Sequence, residues 1–254
     1  MQVIVTRPAA QAAEWVLQLR AANIDAVALP LIGIAPAPDR AAVESAWASL
    51  GVQRLVVFVS PNAVEQFFAL RPPGRAWPAG VMAGSPGPGT TRALLGAGVP
   101  ESSIVAPATE ALQFDSESLW QQLAAHDWHG ARVLIVRGDG GRDWLAETLC
   151  EHGAGVDHVA AYRRQAPAFS AAEHTVLAQA LNEPASRLWF FSSSEAIDHL
   201  AQIAAGLNPR WIDAHALATH PRIAERTRRL GVGNVFESRP SMAAVVACIQ
   251  SIRP

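Results

Sequence analysis

Short apolar runs that stop at Gly, Pro, Ser or Thr recur along the chain, each followed by a stretch in which apolar residues return every three or four positions. The first pattern is that of a buried parallel strand and the second that of an amphipathic helix, so their alternation predicts an α/β fold built on parallel sheets. Strands are expected at 2–6, 25–29, 54–59, 80–84, 103–106, 132–136, 155–160, 187–191, 214–218 and 233–236. Ten strands divide naturally into two five-stranded sheets.

The chain also resembles itself. Residues 54–67 align with 187–200 at an offset of 133, pairing Arg54 with Arg187, Phe58 with Phe191, Ser60 with Ser193 and Ala63 with Ala196. The register persists through Pro88 with Pro221, Gly98-Val99 with Gly231-Val232 and Pro107 with Pro240. A shorter unit, the strand at 3–6 with its helix, matches 133–136 at an offset of 130 and pairs Arg7 with Arg137 and Leu19 with Leu149. Calling these units A, B, A′ and B′ in chain order, the proline-bearing stretches fall between A and B (Pro30, Pro36, Pro38) and between A′ and B′ (Pro167). The link from B to A′ is an ordinary crossover with Asp115 as the expected helix N-cap. We therefore expect a discontinuous domain of residues 1–35 plus 167–254 and an inserted domain of residues 36–162. Two strands, at about 30–36 and 161–166, should connect them and allow a hinge. Tandem A–B and A′–B′ domains are the alternative.

Composition narrows the chemistry. The 254 residues suit two domains, half of them are apolar, and 17% are charged. Neither a disordered chain nor a membrane span is expected. The chain opens on a strand pattern instead of a basic leader and apolar core, so a cytoplasmic location is expected. All 20 basic residues are arginine, so Schiff-base chemistry, pyridoxal phosphate and a P-loop lysine are excluded. A net charge of −2 gives no general attraction for nucleic acid. Cys150 and Cys248, expected in buried helix positions, lie too far apart to read as a zinc or redox pair. His126 and His129 lack a carboxylate or cysteine partner nearby, and no metal site is expected.

Parallel sheets bind ligands beyond the carboxyl ends of their strands, where helix N-termini expose N–H groups. That rule selects Thr6-Arg7-Pro8, Ser60-Pro61-Asn62, Gly87-Pro88-Gly89-Thr90, the loop from Arg137 through Gly138 and Gly140 to Arg142, Ser192-Ser193-Ser194, and Thr219-His220-Pro221. Glycine admits close backbone approach, hydroxyls donate, and arginine grips carboxylates, so the set facing one cleft suits an anionic ligand. For any single loop, plain helix capping is the simpler account. Arg137 and Arg142 have the further alternative of pairing with Asp139 or Asp143. A nucleotide is disfavoured, because Gly84-x-x-Gly87-x-Gly89 lacks the dinucleotide spacing and Pro86 and Pro88 remove donors.

The strings VTRP at 5–8, LPLIGI at 29–34, FVSPNAVE at 58–65, GPGTTRAL at 87–94, DSESL at 115–119, VLIVRGDGGRDWLAETL at 133–149, AYRR at 161–164 and HPRIAERTRRLGV at 220–232 together resemble the recurrent segments of uroporphyrinogen-III synthases. The resemblance implies two flavodoxin-like parallel-sheet domains related by duplication and joined by a two-stranded connection. It implies cofactor-free cyclisation of hydroxymethylbilane to uroporphyrinogen III, with inversion of ring D, for haem, sirohaem and cobalamin synthesis. It further implies a polycarboxylate tetrapyrrole as ligand and a possible transient hand-over from hydroxymethylbilane synthase, with no nucleic-acid or membrane partner. Carried over by position, Tyr162 of AYRR, the only tyrosine, becomes a side chain reaching the cleft to assist loss of the substrate hydroxyl. The alternative is a waist residue that packs its ring and bonds its hydroxyl. Thr219 matches the threonine of a Gly-Pro-Thr turn in the family, although His220 and Pro221 depart from the usual residues, as do Pro86 and Glu195. A monomer is the default expectation. The rival from another class is a non-catalytic two-domain receptor for an acidic small molecule; a flavodoxin-like signalling protein is disfavoured by the missing lysine and acidic cluster.

Overall fold

The computed structural model describes residues 1–108, 111 and 113–252. The chain divides into two compact units, one formed by Met1–Gly33 with Gln165–Pro254 and the other by Ile34–Arg164.

The first unit holds β1 (Gln2–Val5), α1 (Ala9–Ala21) and β2 (Ala26–Ala28) from the start of the chain. The second holds β3 (Gly33–Pro36, shared at its first residue), α2 (Arg40–Ala48), β4 (Leu55–Phe58), α3 (Pro61–Phe68), β5 (Met82–Gly84), α4 (Pro88–Gly96), β6 (Ile104–Val105), α5 (Ser116–Leu123), β7 (Arg132–Gly138), α6 (Trp144–Glu151) and β8 (Gly155–Gln165). The chain then returns to the first unit through α7 (Ala171–Asn182), β9 (Arg187–Phe191), α8 (Ser194–Ile203), β10 (His215–Ala218), α9 (Pro221–Arg229), β11 (Asn234–Glu237) and α10 (Met242–Ile252).

The sheet of the first unit has the order β11-β10-β9-β1-β2, and that of the second β3-β8-β7-β4-β5-β6. Written from its other edge, the second reads β6-β5-β4-β7-β8, the order of the first, with β3 added. Unit A thus shares a sheet with B′ (Val3 opposite Leu188) and B shares one with A′ (Leu55 opposite Val133). The expectation of five strands in each sheet is corrected here: the second has six, because residues 33–36 pair as an edge strand. The strand lies within the connection expected at about 30–36, and Pro36 obscures only its membership of the sheet: a proline is tolerated at a sheet edge, where one side of the backbone needs no partner. β8 runs unbroken to Gln165, through the expected crossing.

Central strands are buried on both faces, which is why they read as continuous apolar runs instead of alternating ones. Val56 and Phe58 of β4 enter a core with Trp47, Phe67 and Trp77, while Leu55 and Val57 enter another with Leu119, Trp128 and Leu149. In the first unit Val3, Val5, Leu188 and Phe190 pack with Trp15, Leu19 and Ile249. Asp115 caps α5 by accepting from the Ser118 N–H at 2.9 Å. Both cysteines are helical, but Cys150 is exposed and Cys248 only half-buried, which corrects their expected burial; burial raises the Cys248 thiol pKa. Among the described residues no helix is long and apolar enough to cross a membrane.

Candidate functional site

Each sheet has one place where chain order reverses: between β4 and β7 in the second unit, and between β9 and β1 in the first. Helices after the flanking strands leave toward opposite faces there; α3 sends Ala63 and Phe67 into one core and α6 sends Leu145 and Leu149 into the other. Such switch points leave an opening at the carboxyl edge.

In the second unit three loops expected from sequence follow the consecutive strands β7, β4 and β5 at that edge. Ser60 follows β4 and caps α3, its Oγ accepting from the Ala63 N–H at 3.2 Å, with Pro61 at the first helical position. Asn62 is buried. Gly87, after β5, is the N-cap of α4; a side chain there would meet Phe114 Cβ at 3.0 Å. Gly89 lies against Pro61, 3.5 Å from where a Cβ would stand, and Thr90 is buried beside them. Ser85, which sequence reasoning passed over, is fully buried and holds this turn: its Oγ donates to the Gly87 carbonyl at 2.9 Å and lies 2.9 Å from Thr91 Oγ1. Its signal was a hydroxyl at the end of an apolar strand, directly before the noted Pro86.

Tyr162 is fully buried, contrary to a side chain reaching open space. A register shift at the end of β7 sets Gly138 opposite Tyr162. Because Gly138 has no Cβ (one would lie 3.2 Å from the ring), the ring crosses β7 and brings its hydroxyl 3.1 Å from Ser60 Oγ at the end of β4. Ser60 itself is partly exposed. Gly140 has open space around its Cα.

In the first unit the Thr6 hydroxyl donates to the Phe190 carbonyl at 2.7 Å and is buried, tying the β1 loop to β9. Arg7 lies over Trp15, 5.2 Å from its ring centre, and its Nε donates to Gln11 at 3.3 Å. Ser193 is the N-cap of α8, without a side-chain capping bond, and Ser194 is the first residue of that helix; both are partly exposed. Glu195 sits in the first turn of α8, where the helix dipole favours a negative charge. Thr219 is buried, its N–H donating to the Phe191 carbonyl at 3.2 Å. The departure at His220 has a local role: Nδ1 accepts from the Arg222 N–H at 3.1 Å and caps α9. The structure offers no comparable account of Pro86.

The loop arginines of β7 both have carboxylate partners. Arg137 pairs with Asp143, one of its two anticipated partners, and the guanidinium holds that carboxyl below its ordinary range. Arg142 pairs instead with Glu117 on α5, in a two-bonded contact at 2.7 and 3.2 Å that raises its own pKa; Asp139 and Asp143 are not its partners in that contact. His158, on β8, is driven below the usual histidine range by burial and by Arg137. Both guanidinium groups at this edge are thus engaged within the protein. Among the described residues no three His, Cys, Asp or Glu side chains cluster so as to hold a metal.

A family model described as uroporphyrinogen-III synthase matches residues 13–247. The chain is 30% identical to a uroporphyrinogen-III synthase of Salmonella typhimurium over 247 residues, covering 91% of this chain and 92% of that protein. It is also 30% identical to the synthase of Escherichia coli over 240 residues, with the same coverage. A solved mutant uroporphyrinogen III synthase from Thermus thermophilus shares the fold, with a TM-score of 0.58 at 16% identity over 99% of this chain and 96% of that one.

Proposed function

The chain belongs to the uroporphyrinogen-III synthase family, and from that premise we infer how its residues close the ring. It is an enzyme that cyclises hydroxymethylbilane to uroporphyrinogen III with inversion of ring D, a step of tetrapyrrole biosynthesis. The observation that carries this reading is likeness over nearly the whole chain, since a shared α/β fold alone says nothing of chemistry.

Once hydroxide departs, the substrate is a reactive azafulvene cation, so the enzyme's task is to govern which carbon of ring D attacks. A hundredfold preference for inversion needs about 2.7 kcal/mol of differential transition-state stabilisation. Two charge-assisted hydrogen bonds to acetate or propionate groups, at about 1.5–3 kcal/mol each, are enough. We assign these to the loops that contain Ser60, Pro61, Asn62, Gly87, Gly89, Thr90, Gly138 and Gly140 in one unit and Thr6, Arg7, Ser193, Ser194 and Thr219 in the other. Arg137 and Arg142 serve their loop by organising it through Asp143 and Glu117. Tyr162 is assigned to loss of the hydroxyl. A cytoplasmic site of action and direct receipt of the labile substrate from hydroxymethylbilane synthase complete the proposal.

The test generates hydroxymethylbilane from porphobilinogen with its synthase, adds this protein, oxidises the products and resolves uroporphyrin isomers chromatographically. Isomer III is expected; isomer I alone from folded protein would return the chain to a non-catalytic receptor of acidic ligands.

A further inference from the structure

Tyr162 is the one side chain in this chain assigned to departure of the substrate hydroxyl, yet it is fully enclosed. Its ring is held between the backbone of Gly138, which would place a Cβ only 3.2 Å away, and the core that contains Phe58 and Val136. A group so placed has no surface with which to touch a ligand. Its hydroxyl, however, lies 3.1 Å from Ser60 Oγ, and Ser60 is partly exposed at the carboxyl edge of β4, beside the switch point.

A serine hydroxyl has one hydrogen and two acceptor positions. Ser60 Oγ already accepts from the Ala63 N–H at 3.2 Å, which uses one acceptor position. If Tyr162 donates, Ser60 has both acceptor positions filled and its single hydrogen directed away from the protein. If Ser60 donates to Tyr162, it has no hydrogen for anything outside. Only the first arrangement presents a proton at the edge, and the partly exposed position of Ser60 gives that proton somewhere to go.

We propose that Ser60 is the catalytic residue that meets the departing hydroxyl of the substrate, and that Tyr162 is a positioning residue acting through it. Resting on the synthase reading above, the step balances as follows. The bond between the methylene carbon and oxygen breaks, with its electron pair leaving on oxygen. The pyrrole nitrogen lone pair forms the azafulvenium cation, and oxygen takes the Ser60 proton to leave as water. The Tyr162 hydrogen refills Ser60. The proton lost from the ring D carbon that forms the closing bond is returned through Ser60 to Tyr162, so the net reaction releases one water and leaves both hydroxyls as they began.

Ser60 is also a helix cap, so the variants must separate capping from proton donation. Ser60→Gly keeps a residue suited to the N-cap but has no hydroxyl; Ser60→Thr keeps both. The measurement is kcat, KM and the fraction of isomer III for Ser60→Gly, Ser60→Thr, Tyr162→Phe and the double variant Ser60→Gly/Tyr162→Phe, with thermal melts as the folding control. We expect Ser60→Gly and Tyr162→Phe each to lower kcat on the order of tenfold to a hundredfold with KM little changed. The double variant should be no slower than the slower single one, Ser60→Thr should restore most of the rate, and isomer III should dominate throughout. Multiplying losses in the double variant, or a full rate in folded Ser60→Gly, overturns the relay. Absence of isomer III from the unaltered protein instead overturns the synthase reading, a distinct result.

Discussion

A missing methyl group at Gly138 decides where Tyr162 lies. Replacing Gly138 with alanine sets a carbon 3.2 Å from two ring atoms, in a core whose neighbours are themselves buried, so the ring or the strand must shift. Overpacking of this kind costs about 1–3 kcal/mol. Gly138→Ala is expected to lower the melting temperature by several degrees and to lower turnover with it; an unchanged melt would mean that the ring has room to spare. A second residue-scale effect is acid sensitivity around Arg137. Asp143 titrates below its ordinary range because of Arg137, and His158 titrates below its own because of burial and Arg137. In both cases the unfolded chain takes up the proton first, so stability falls as pH drops: from about 6.5 downward for His158, and in the carboxylate range for Asp143. His158→Gln should therefore lose less melting temperature than the unaltered protein between about pH 7.5 and 5.5, and Asp143→Asn should flatten the steeper fall below about pH 4. Equal slopes would remove these groups from the acid response. Tyr162 stood out in the sequence as a lone tyrosine, but its enclosure did not, since that depends on a register shift between β7 and β8 and on the residue opposite.

At the scale of elements, α2 and α3 are locked by aromatic packing that local periodicity only partly announces. Trp47 stacks on Phe67 with ring centres 4.7 Å apart, donates its indole N–H to the Phe67 carbonyl at 2.9 Å and meets Phe68 edge-on. Trp47→Ala empties the centre of that core and should cost about 3–5 kcal/mol, a large part of the stability of a domain this size. Trp47→Phe keeps most of the ring and removes one donor to the Phe67 carbonyl, which keeps the Leu70 N–H at 3.2 Å, so the loss is about 0.5–1.5 kcal/mol for the hydrogen bond. Denaturant titration of the two variants should rank them in that order, and equal losses would indicate that the indole bond, not the volume, dominates. The strands were readable wherever both faces are buried, as at Leu188–Phe191, because such strands show unbroken apolar runs. β3 fell within the connecting strand expected at about 30–36, but its place in the sheet was not legible, because a proline-bearing edge strand takes that place from its β8 partner. The loops could be located from strand ends alone, whereas the partner of Arg142 lies 25 residues away on α5, a pairing that only the docking of α5 beside α6 creates.

For the whole molecule, the unit Ile34–Arg164 contains both faces of its own sheet and two complete cores, so it meets the physical requirement for folding alone. Its two ends leave at one place: a Cβ on Gly33 would come 2.9 Å from Gln165 Cγ. A fragment of residues 34–164 is expected to show cooperative thermal unfolding by circular dichroism, and a chain lacking sigmoidal melting would show that it borrows stability from the rest. The pairing of β1 with β9 has a further consequence during synthesis on the ribosome. Val3 can pair with Ala26 early but must wait for Leu188 before its sheet can be completed, while every strand of the inserted unit has by then been made. β1 is thus made long before it is fully seated: Val3-Ile4-Val5 has β2 available on one side, but through the synthesis of the whole inserted unit its other side lacks β9 and stays open to chaperones or to the matching strand of another nascent chain.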